Sequence, residues 1–197
     1  MTARTSQIVL IFAAFLIGLA IFSGVFLYAS GNLGGGPATS AIGGPFKLVD
    51  QNGNPITDAD LKGKPYLVFF GYTHCPDVCP TTLFDVSEVL RALGKDANST
   101  GALFITVDPE RDTPAVMKDY LSSFDPHLRG ATGDRAAIDA AEKSYRVYAK
   151  KVPTQGGDYS MDHTALVYLM DKQGRFVAPF SLKRKPEEAA ADLRRYM

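Results

Sequence analysis

The segment YLVFFGYTHCPDVCP, from Tyr66 to Pro80, decides the fold of this chain. Its first six residues, Tyr66–Gly71, form a continuous apolar run of strand length, which predicts a strand buried on both faces. Apolar residues then recur at helical spacing from Thr81 to Leu93, which predicts a helix. Both cysteines of the chain, Cys75 and Cys79, therefore lie where a buried strand passes into a helix.

The rest of the chain continues as an alternation of predicted strands and helices. Ala102–Val107 is predicted to be a second buried strand, and the strand–helix–strand order predicts a right-handed parallel crossover. The other predicted elements are a strand at 45–50 with a hairpin turn at 50–55, helices at 114–124, 136–145 and 186–196, and a hairpin at 164–180. This order predicts an α/β fold, a thioredoxin-like sandwich with extra N-terminal strands and an inserted helix.

The composition excludes several classes of protein. The 197 residues carry 21 Lys and Arg against 21 Asp and Glu, and this formal net charge of zero argues against nucleic-acid binding. A hydrophobic fraction of 46% is too high for a disordered chain, and two cysteines are too few for a disulfide-rich scaffold.

The first 46 residues contain one charged side chain, Arg4. Ile8–Ala29 is an uncharged, apolar run that as a helix would be about 33 Å long, enough for the ~30 Å hydrocarbon core of a bilayer. We expect residues 1–29 to be one transmembrane anchor rather than a cleaved signal peptide, whose apolar region would be shorter. The Gly-, Ser- and Ala-rich residues 30–44 are expected to be a flexible tether, followed by one domain at 45–197.

The spacing of Cys75 and Cys79 predicts paired thiol chemistry. Residues four apart on a tight turn or a first helical turn face the same side, within the distance of a disulfide, so the pair can be a dithiol or a disulfide. The amide groups and dipole at a helix N-terminus favour negative charge, so we expect lowered thiol pKa values. The thiolate form attacks disulfides and also binds soft metals.

A distant histidine completes this candidate site. His163 immediately precedes the predicted strand Thr164–Met170. In a thioredoxin-type sheet that strand lies antiparallel beside Tyr66–Gly71, so we expect His163 to meet Cys75 and Cys79. Two sulfurs and one imidazole nitrogen suit Cu(I), which is satisfied with few ligands.

Four other side chains are weaker candidates. Asp77 or a water molecule would supply the fourth ligand that a structural zinc site prefers, so zinc remains open. His74 is expected on the other side of the turn in a structural role, and His127 on a solvated loop. Met161 has a soft thioether, but a methionine in the core or on the surface is the commoner case.

Four stretches of the sequence resemble the Sco/SenC family of membrane-anchored, thioredoxin-fold copper proteins. They are FFGYTHCPDVCP at 69–80, TVDPERDTP at 106–114, DHTA at 162–165 and YLMD at 168–171. The resemblance implies that Cys75, Cys79 and His163 are copper ligands, for Cu(I) with Cu(II) left open. It also implies a copper chaperone that assists the assembly of cytochrome c oxidase.

The resemblance further implies partners and a compartment. Copper would go to the dinuclear site of cytochrome c oxidase subunit II, and Cys75 and Cys79 would act as a redox-active dithiol that reduces the cysteines of that site. Other copper chaperones or a thioredoxin-like reductant are further candidate partners. Because an Arg-rich transit peptide is lacking, we expect a bacterial inner-membrane protein, with cytoplasmic N-terminus and periplasmic domain, rather than one of the mitochondrial inner membrane.

The paired cysteines are also compatible with functions other than copper delivery. The main alternative is a metal-free thiol–disulfide oxidoreductase of the periplasm, which would use Cys75 and Cys79 alone. A peroxiredoxin-like peroxidase is disfavoured because Tyr72 and Val68 stand where its motif needs Thr or Ser and Pro. The segment Asp108–Thr113 is either a loop organised by an Arg–carboxylate pair and a helix cap, or a surface on which a partner docks.

Overall fold

The computed structural model describes residues 3–32 and 42–197, and the side chains of residues 12–28 and 42–197. The chain divides into two compact units, Met1–Thr39 and Ser40–Met197. Most of the predicted tether, residues 33–41, lies outside the described residues.

The described residues of the first unit form helix α1 (Ala3–Asn32). Its described side chains, from Phe12 to Tyr28, are exposed and predominantly apolar. Among the described residues, no helix combines the length and the hydropathy needed to cross a membrane. The anchor assigned to residues 1–29 stays a prediction.

The centre of the second unit is the predicted buried strand, β3 (Tyr66–Gly71), in which every residue is buried. Helix α2 (Val78–Leu93) follows it and leads to β4 (Gly101–Thr106), which pairs parallel to β3. On its other side, β3 pairs antiparallel with β8 (Val167–Met170). The predicted strand–helix–strand unit and the antiparallel neighbour are therefore confirmed.

The remaining elements complete a seven-stranded sheet of order β2-β1-β5-β4-β3-β8-β9 with helices around it, as the predicted thioredoxin-like α/β fold requires. An N-terminal hairpin and a closing hairpin are confirmed at its two edges. These elements are β1 (Lys47–Asp50), β2 (Pro55–Thr57), α3 (Pro114–Leu121), β5 (Leu128–Thr132), α4 (Arg135–Tyr145), β9 (Phe176–Pro179) and α5 (Pro186–Arg194).

Three strands are absent from the sequence prediction. One is β5, which pairs parallel to β4, and the others are β6 (Ala149–Pro153) and β7 (Tyr159–His163), which form a separate antiparallel hairpin. Four of the five residues of β6 are exposed, so the hairpin lacks the apolar alternation that indicates a half-buried strand. Its turn contains Gly156 and Gly157, both at positive φ, where glycine avoids the steric cost of a side chain.

The hairpin also corrects the predicted position of His163. The strand expected at Thr164–Met170 begins only at Val167, and His163 is instead the last residue of β7. The chain therefore leaves the small sheet at His163 and enters the large sheet at Val167, four residues later. The histidine belongs to an element that the sequence analysis did not predict.

Candidate metal centre

The two cysteines lie at the N-terminus of α2. Cys75 is in the loop after β3, and Cys79 is the second residue of the helix, which begins at Val78 rather than at the predicted Thr81. Cys79 is fully buried, whereas Cys75 retains 9% of its exposure. The Cys79 N–H donates a hydrogen bond to the Cys75 sulfur at 3.4 Å, so the helical turn places both residues together as free thiols.

Gly71 provides the space that the Cys79 sulfur occupies. A Cβ atom at this last residue of β3 would lie 2.8 Å from Cys79 Sγ and 2.8 Å from Phe104 Cε2, closer than side-chain carbons approach. Any larger residue would displace the sulfur or the aromatic ring. Gly71 is thus a residue of the site that was not predicted, although a glycine that ends an apolar strand just before the cysteines is a signal for it.

The expected lowering of the thiol pKa is wrong for Cys79. Burial raises the pKa of this thiol far above its ordinary value, and the neighbouring Cys75 sulfur adds to the increase. A hydrogen bond from the Tyr72 main chain acts in the opposite direction but is the weaker influence. The desolvation of the thiolate raises the pKa more than the helix N-terminus lowers it, because the sulfur is fully buried against Gly71.

His163 meets Cys79 as the strand order requires. Its Nε2 lies 3.3 Å from Cys79 Sγ, although 84 residues separate the two in sequence. The imidazole packs edge-on against two aromatic rings, with its centroid 5.7 Å from that of Tyr72 and 6.4 Å from that of Phe69. Those contacts fix the plane of the imidazole and direct one ring nitrogen at the sulfur.

A cleft of about 360 Å³ opens beside these groups. It is lined by Cys75 and His163, by Asp77 at the start of α2, and by the largely buried Met161 of β7. Within the described residues, no three His, Cys, Asp or Glu side chains already surround one metal position. The assignment of Cys75, Cys79 and His163 as a ligand set therefore stays a prediction.

Comparison with known proteins bears on this arrangement. The family model described as SCO1/SenC matches residues 35–197. The chain belongs to the SCO1/SenC family. A curated SCO2-like protein of Rickettsia felis is 40% identical over 149 residues, which cover 75% of this chain and 73% of that protein.

Solved structures of SCO1/SenC proteins share the fold. Bradyrhizobium japonicum ScoI with copper bound is 73% identical, with a TM-score of 0.78, over 79% of this chain and 99% of that one. BsSco, described with a disulfide switch and as a member of the Sco family of cytochrome c oxidase assembly proteins, is 22% identical, with a TM-score of 0.59. The match covers 77% of this chain and 90% of the BsSco chain. A sequence identity of 22% supports a shared fold alone.

Neither of the other histidines of this SCO1/SenC chain lines the cleft. The His74 side chain is half exposed, and its Nδ1 lies 3.1 Å from the Thr73 hydroxyl. His127 precedes β5, where its ring nitrogens lie 2.8 Å from an Asp125 carboxylate oxygen and 3.1 Å from the Asn98 side chain. The structural role expected of His74 agrees with its contact, and His127 is tied to two neighbours rather than lying free on a solvated loop.

The segment Asp108–Thr113 has the structure expected of an organised loop. The Arg111 side chain donates a hydrogen bond to the buried Asp108 carboxylate, and the Thr113 hydroxyl accepts one from Val116 N–H at the start of α3, at 3.3 Å. The Arg–carboxylate pair and the helix cap are therefore confirmed. Asp112, fully buried, accepts hydrogen bonds from Thr73 N–H at 3.0 Å and from the Thr73 hydroxyl at 2.6 Å, so the loop contacts the residues just before the cysteines.

Proposed function

We propose that this chain is a copper chaperone that delivers copper to the dinuclear copper site of cytochrome c oxidase subunit II. The cargo is Cu(I), bound by the thiolates of Cys75 and Cys79 and by His163 Nε2. The observation that carries the proposal is the 3.3 Å approach of His163 to Cys79 beside an open cleft. The copper-bound ScoI structure, 73% identical to this chain, supports copper as the metal.

The donor atoms fit a soft monovalent ion. Two sulfurs and one imidazole nitrogen are the ligand types that Cu(I) prefers, and three of them satisfy it. A metal ion bound to both Cys79 Sγ and His163 Nε2 would replace their present contact, whereas the Cys79 N–H can keep its hydrogen bond to Cys75 Sγ. Binding therefore requires small side-chain movements and the loss of the thiol protons.

The raised pKa of Cys79 couples copper binding to pH. In metal-free chain, Cys79 is a neutral thiol because burial disfavours the thiolate. A neutral thiol reacts slowly with oxidants, and Cu(I) must displace its proton to bind. Copper affinity should therefore rise with pH.

The unequal burial of the two cysteines favours a defined order of reaction with a partner. Cys75 lines the cleft, whereas Cys79 lies beneath it, so an acceptor cysteine or disulfide meets Cys75 first. In the reducing reaction the Cys75 thiolate attacks the acceptor disulfide and releases one acceptor thiolate. Cys79, after losing its proton, then attacks Cys75 Sγ, which releases the second acceptor thiolate and leaves the Cys75–Cys79 disulfide. Two electrons pass from the pair to the acceptor.

Apolar surface beside the cleft supports an acceptor that is a protein. A groove of about 510 Å³ shares Val78 and Ala165 with the cleft. The side chains of Val78 and Leu166 at its edge are 42% and 47% exposed. Exposed aliphatic side chains next to a reactive centre are typical of a surface that a partner covers.

We place the second unit in the bacterial periplasm, attached by residues 1–29. The uncharged run Ile8–Ala29 and the exposed apolar side chains of α1 support a single-pass anchor. The check is a carbonate wash of bacterial membranes followed by mass measurement of the extracted chain. Retention in the membrane at full mass is expected, whereas release of a shortened chain would identify a cleaved signal peptide.

Copper affinity in paired variants tests the function. Reduced wild-type chain, His163→Ala and the control His127→Ala are titrated with a competing Cu(I) chelator. We expect one tightly bound Cu(I) in wild type and in His127→Ala, and at least about 10-fold weaker binding in His163→Ala. Equal affinity in all three would exclude the imidazole as a ligand, and absence of tight binding in wild type would favour the metal-free oxidoreductase.

A further inference from the structure

The histidine lies on an element that backbone pairing does not fix in place. Within the described part of the chain, β6 and β7 pair with each other and with none of the strands of the large sheet. Cys79, in contrast, lies on α2 directly against β3, where Gly71 receives its sulfur. No strand pairing to the large sheet holds His163 itself, so its 3.3 Å approach to Cys79 depends on the short connection to β8 at Val167 and on contacts between the hairpin and the rest of the unit.

The 108–112 loop, which follows β4, supplies such contacts on the hairpin side. Arg111 Nη1 donates a hydrogen bond to the main-chain oxygen of Tyr159, the first residue of β7, at 3.0 Å. The guanidinium carbon lies 3.8 Å from the centroid of the Tyr159 ring. The Tyr159 hydroxyl donates to Asp108 Oδ1 at 3.0 Å, and Asp108 is almost fully buried. One end of the loop thus binds both the backbone and the side chain of the His163 strand.

The other end of the loop binds the cysteine side. Asp112 is fully buried, and its carboxylate accepts hydrogen bonds from the main chain and hydroxyl of Thr73, two residues before Cys75. It also accepts one from the Thr106 hydroxyl at 2.5 Å, and that hydroxyl accepts the Asp108 N–H at 2.9 Å. The Asp112 N–H donates to the Asp108 carbonyl at 3.0 Å, which closes the loop on itself.

We propose that the 108–112 loop is a positioning element that sets the distance between the imidazole of His163 and the sulfur of Cys79. It does so because one short, internally hydrogen-bonded loop contacts Thr73 on one side and Tyr159 on the other. Its effect on copper rests on the function proposed above, whereas its effect on His163 concerns the metal-free chain. The loop touches no ligand, so it acts only through the residues that it fixes.

The test uses full-length, reduced chain in detergent, with and without Cu(I). Tyr159→Phe removes the bond to Asp108, and Thr73→Val removes one bond to Asp112. Thr73→Ser keeps that hydroxyl, and Glu110→Gln removes an exposed ion pair between the same loop and Lys151 of the hairpin. The last two are matched controls. Thr73→Ser keeps the bond to Asp112, and Glu110→Gln removes a loop–hairpin contact whose exposure makes its contribution small.

Two measurements separate positioning from general stability. In metal-free chain, the ring-proton NMR shifts of His163 report its packing against Tyr72 and Phe69. We expect Tyr159→Phe and Thr73→Val to move these shifts toward those of an exposed histidine and to weaken Cu(I) affinity about 10-fold. Thr73→Ser and Glu110→Gln should leave both readouts unchanged.

The outcomes distinguish the two proposals. Unchanged His163 shifts in both Tyr159→Phe and Thr73→Val would overturn the positioning role. Shifts that move without loss of Cu(I) affinity would overturn its effect on copper. If the shifts move but wild type itself fails to bind Cu(I) tightly, the proposed function fails and the positioning of His163 stands.

Discussion

The two halves of the candidate site are built in different ways. Cys75 and Cys79 follow β3, a strand buried along its whole length and paired on both sides, so the large sheet fixes their position. His163 ends a two-stranded hairpin whose first strand, β6, is mostly exposed. The cysteine half is thus part of the hydrophobic core. The histidine half is attached to that core by polar and aromatic contacts and by Met161 of β7, which is buried in it.

The two halves should therefore respond differently to substitution. Packing changes in the large sheet should alter global stability, because buried aromatic residues such as Phe104 contribute large apolar surfaces. Changes in the hairpin should leave global stability nearly constant while altering the geometry of His163. The following variants test that contrast, beginning with the largest expected effect.

Truncation of a core aromatic should have the largest effect. Phe104 of β4 is fully buried and stacks on Phe69, with ring centroids 6.0 Å apart. We expect Phe104→Ala to lower the free energy of unfolding by about 3–5 kcal/mol, measured by denaturant titration of the reduced chain. Val152→Ala, at an exposed position of β6, should change it by less than about 0.5 kcal/mol. Equal losses at both positions would contradict the contrast.

The second-largest loss of stability should come from Gly71→Ala, which adds one methyl group beside the Cys79 sulfur. Gly71→Ala places a Cβ atom 2.8 Å from Cys79 Sγ, so the sulfur and the ring of Phe104 must shift. We expect a loss of about 1–3 kcal/mol in the same titration. Gly101→Ala, at the start of the neighbouring strand, is the control. Its added Cβ atom would lie 3.6 Å from Tyr66 Cβ, an ordinary van der Waals distance. A stable Gly71→Ala variant would mean that the sulfur is not confined as described.

The buried thiol should produce a pH dependence. Burial raises the pKa of Cys79 above its ordinary value of 9.0, so below about pH 9 the thiol is protonated in both folded and unfolded chains. Its stabilising contribution is complete there. At higher pH the unfolded thiol ionises while the folded one stays protonated, and stability should fall by about 1.4 kcal/mol per pH unit from this group.

Cys79→Ala isolates that contribution. The pKa values of several buried tyrosines, Tyr145 among them, are also raised by burial, so wild type and variant both lose stability in alkali. We expect the loss between pH 8 and pH 10 to be larger in wild type than in Cys79→Ala, by about 1 kcal/mol. Parallel pH curves would show that the thiol pKa is not raised.

The smallest effect should come from the helix that follows the 108–112 loop. Thr113 caps α3 through its hydroxyl, which accepts the Val116 N–H. We expect Thr113→Ala to cost about 1 kcal/mol in unfolding free energy and Thr113→Ser to cost little. Chemical denaturation monitored by circular dichroism measures both, and indistinguishable midpoints would show that the cap contributes nothing.

The same contrast explains what the sequence could predict. The run Tyr66–Gly71 and the helix after it carry strong local patterns, so the core of the sheet and the cysteine pair followed from them. The hairpin Ala149–His163 carries no such pattern, because β6 is exposed and contains two lysines, and β7 is short, with Met161 as its one buried residue. The proximity of His163 to Cys79 was nevertheless predictable, because β8, which begins four residues after His163, pairs antiparallel with β3. The strand on which the histidine lies was not predicted.

Other features needed three-dimensional context. The thiol pKa of Cys79 was mispredicted because its direction depends on burial, which spacing alone does not give. The space at Gly71 depends on the approach of Phe104 from the next strand. The bonds of Asp112 to Thr73 span 39 residues, and those of Arg111 to Tyr159 span 48, so neither leaves a local signal.

X-ray absorption on the reduced, copper-loaded chain tests the central claim most directly, because it counts the atoms bound to the metal. Our account predicts two sulfur neighbours and one nitrogen neighbour in wild type. It also predicts loss of the nitrogen in His163→Ala and its retention in His127→Ala. A wild-type spectrum with sulfur neighbours alone, unchanged in His163→Ala, would contradict the claim that the hairpin supplies a ligand to the cysteine pair.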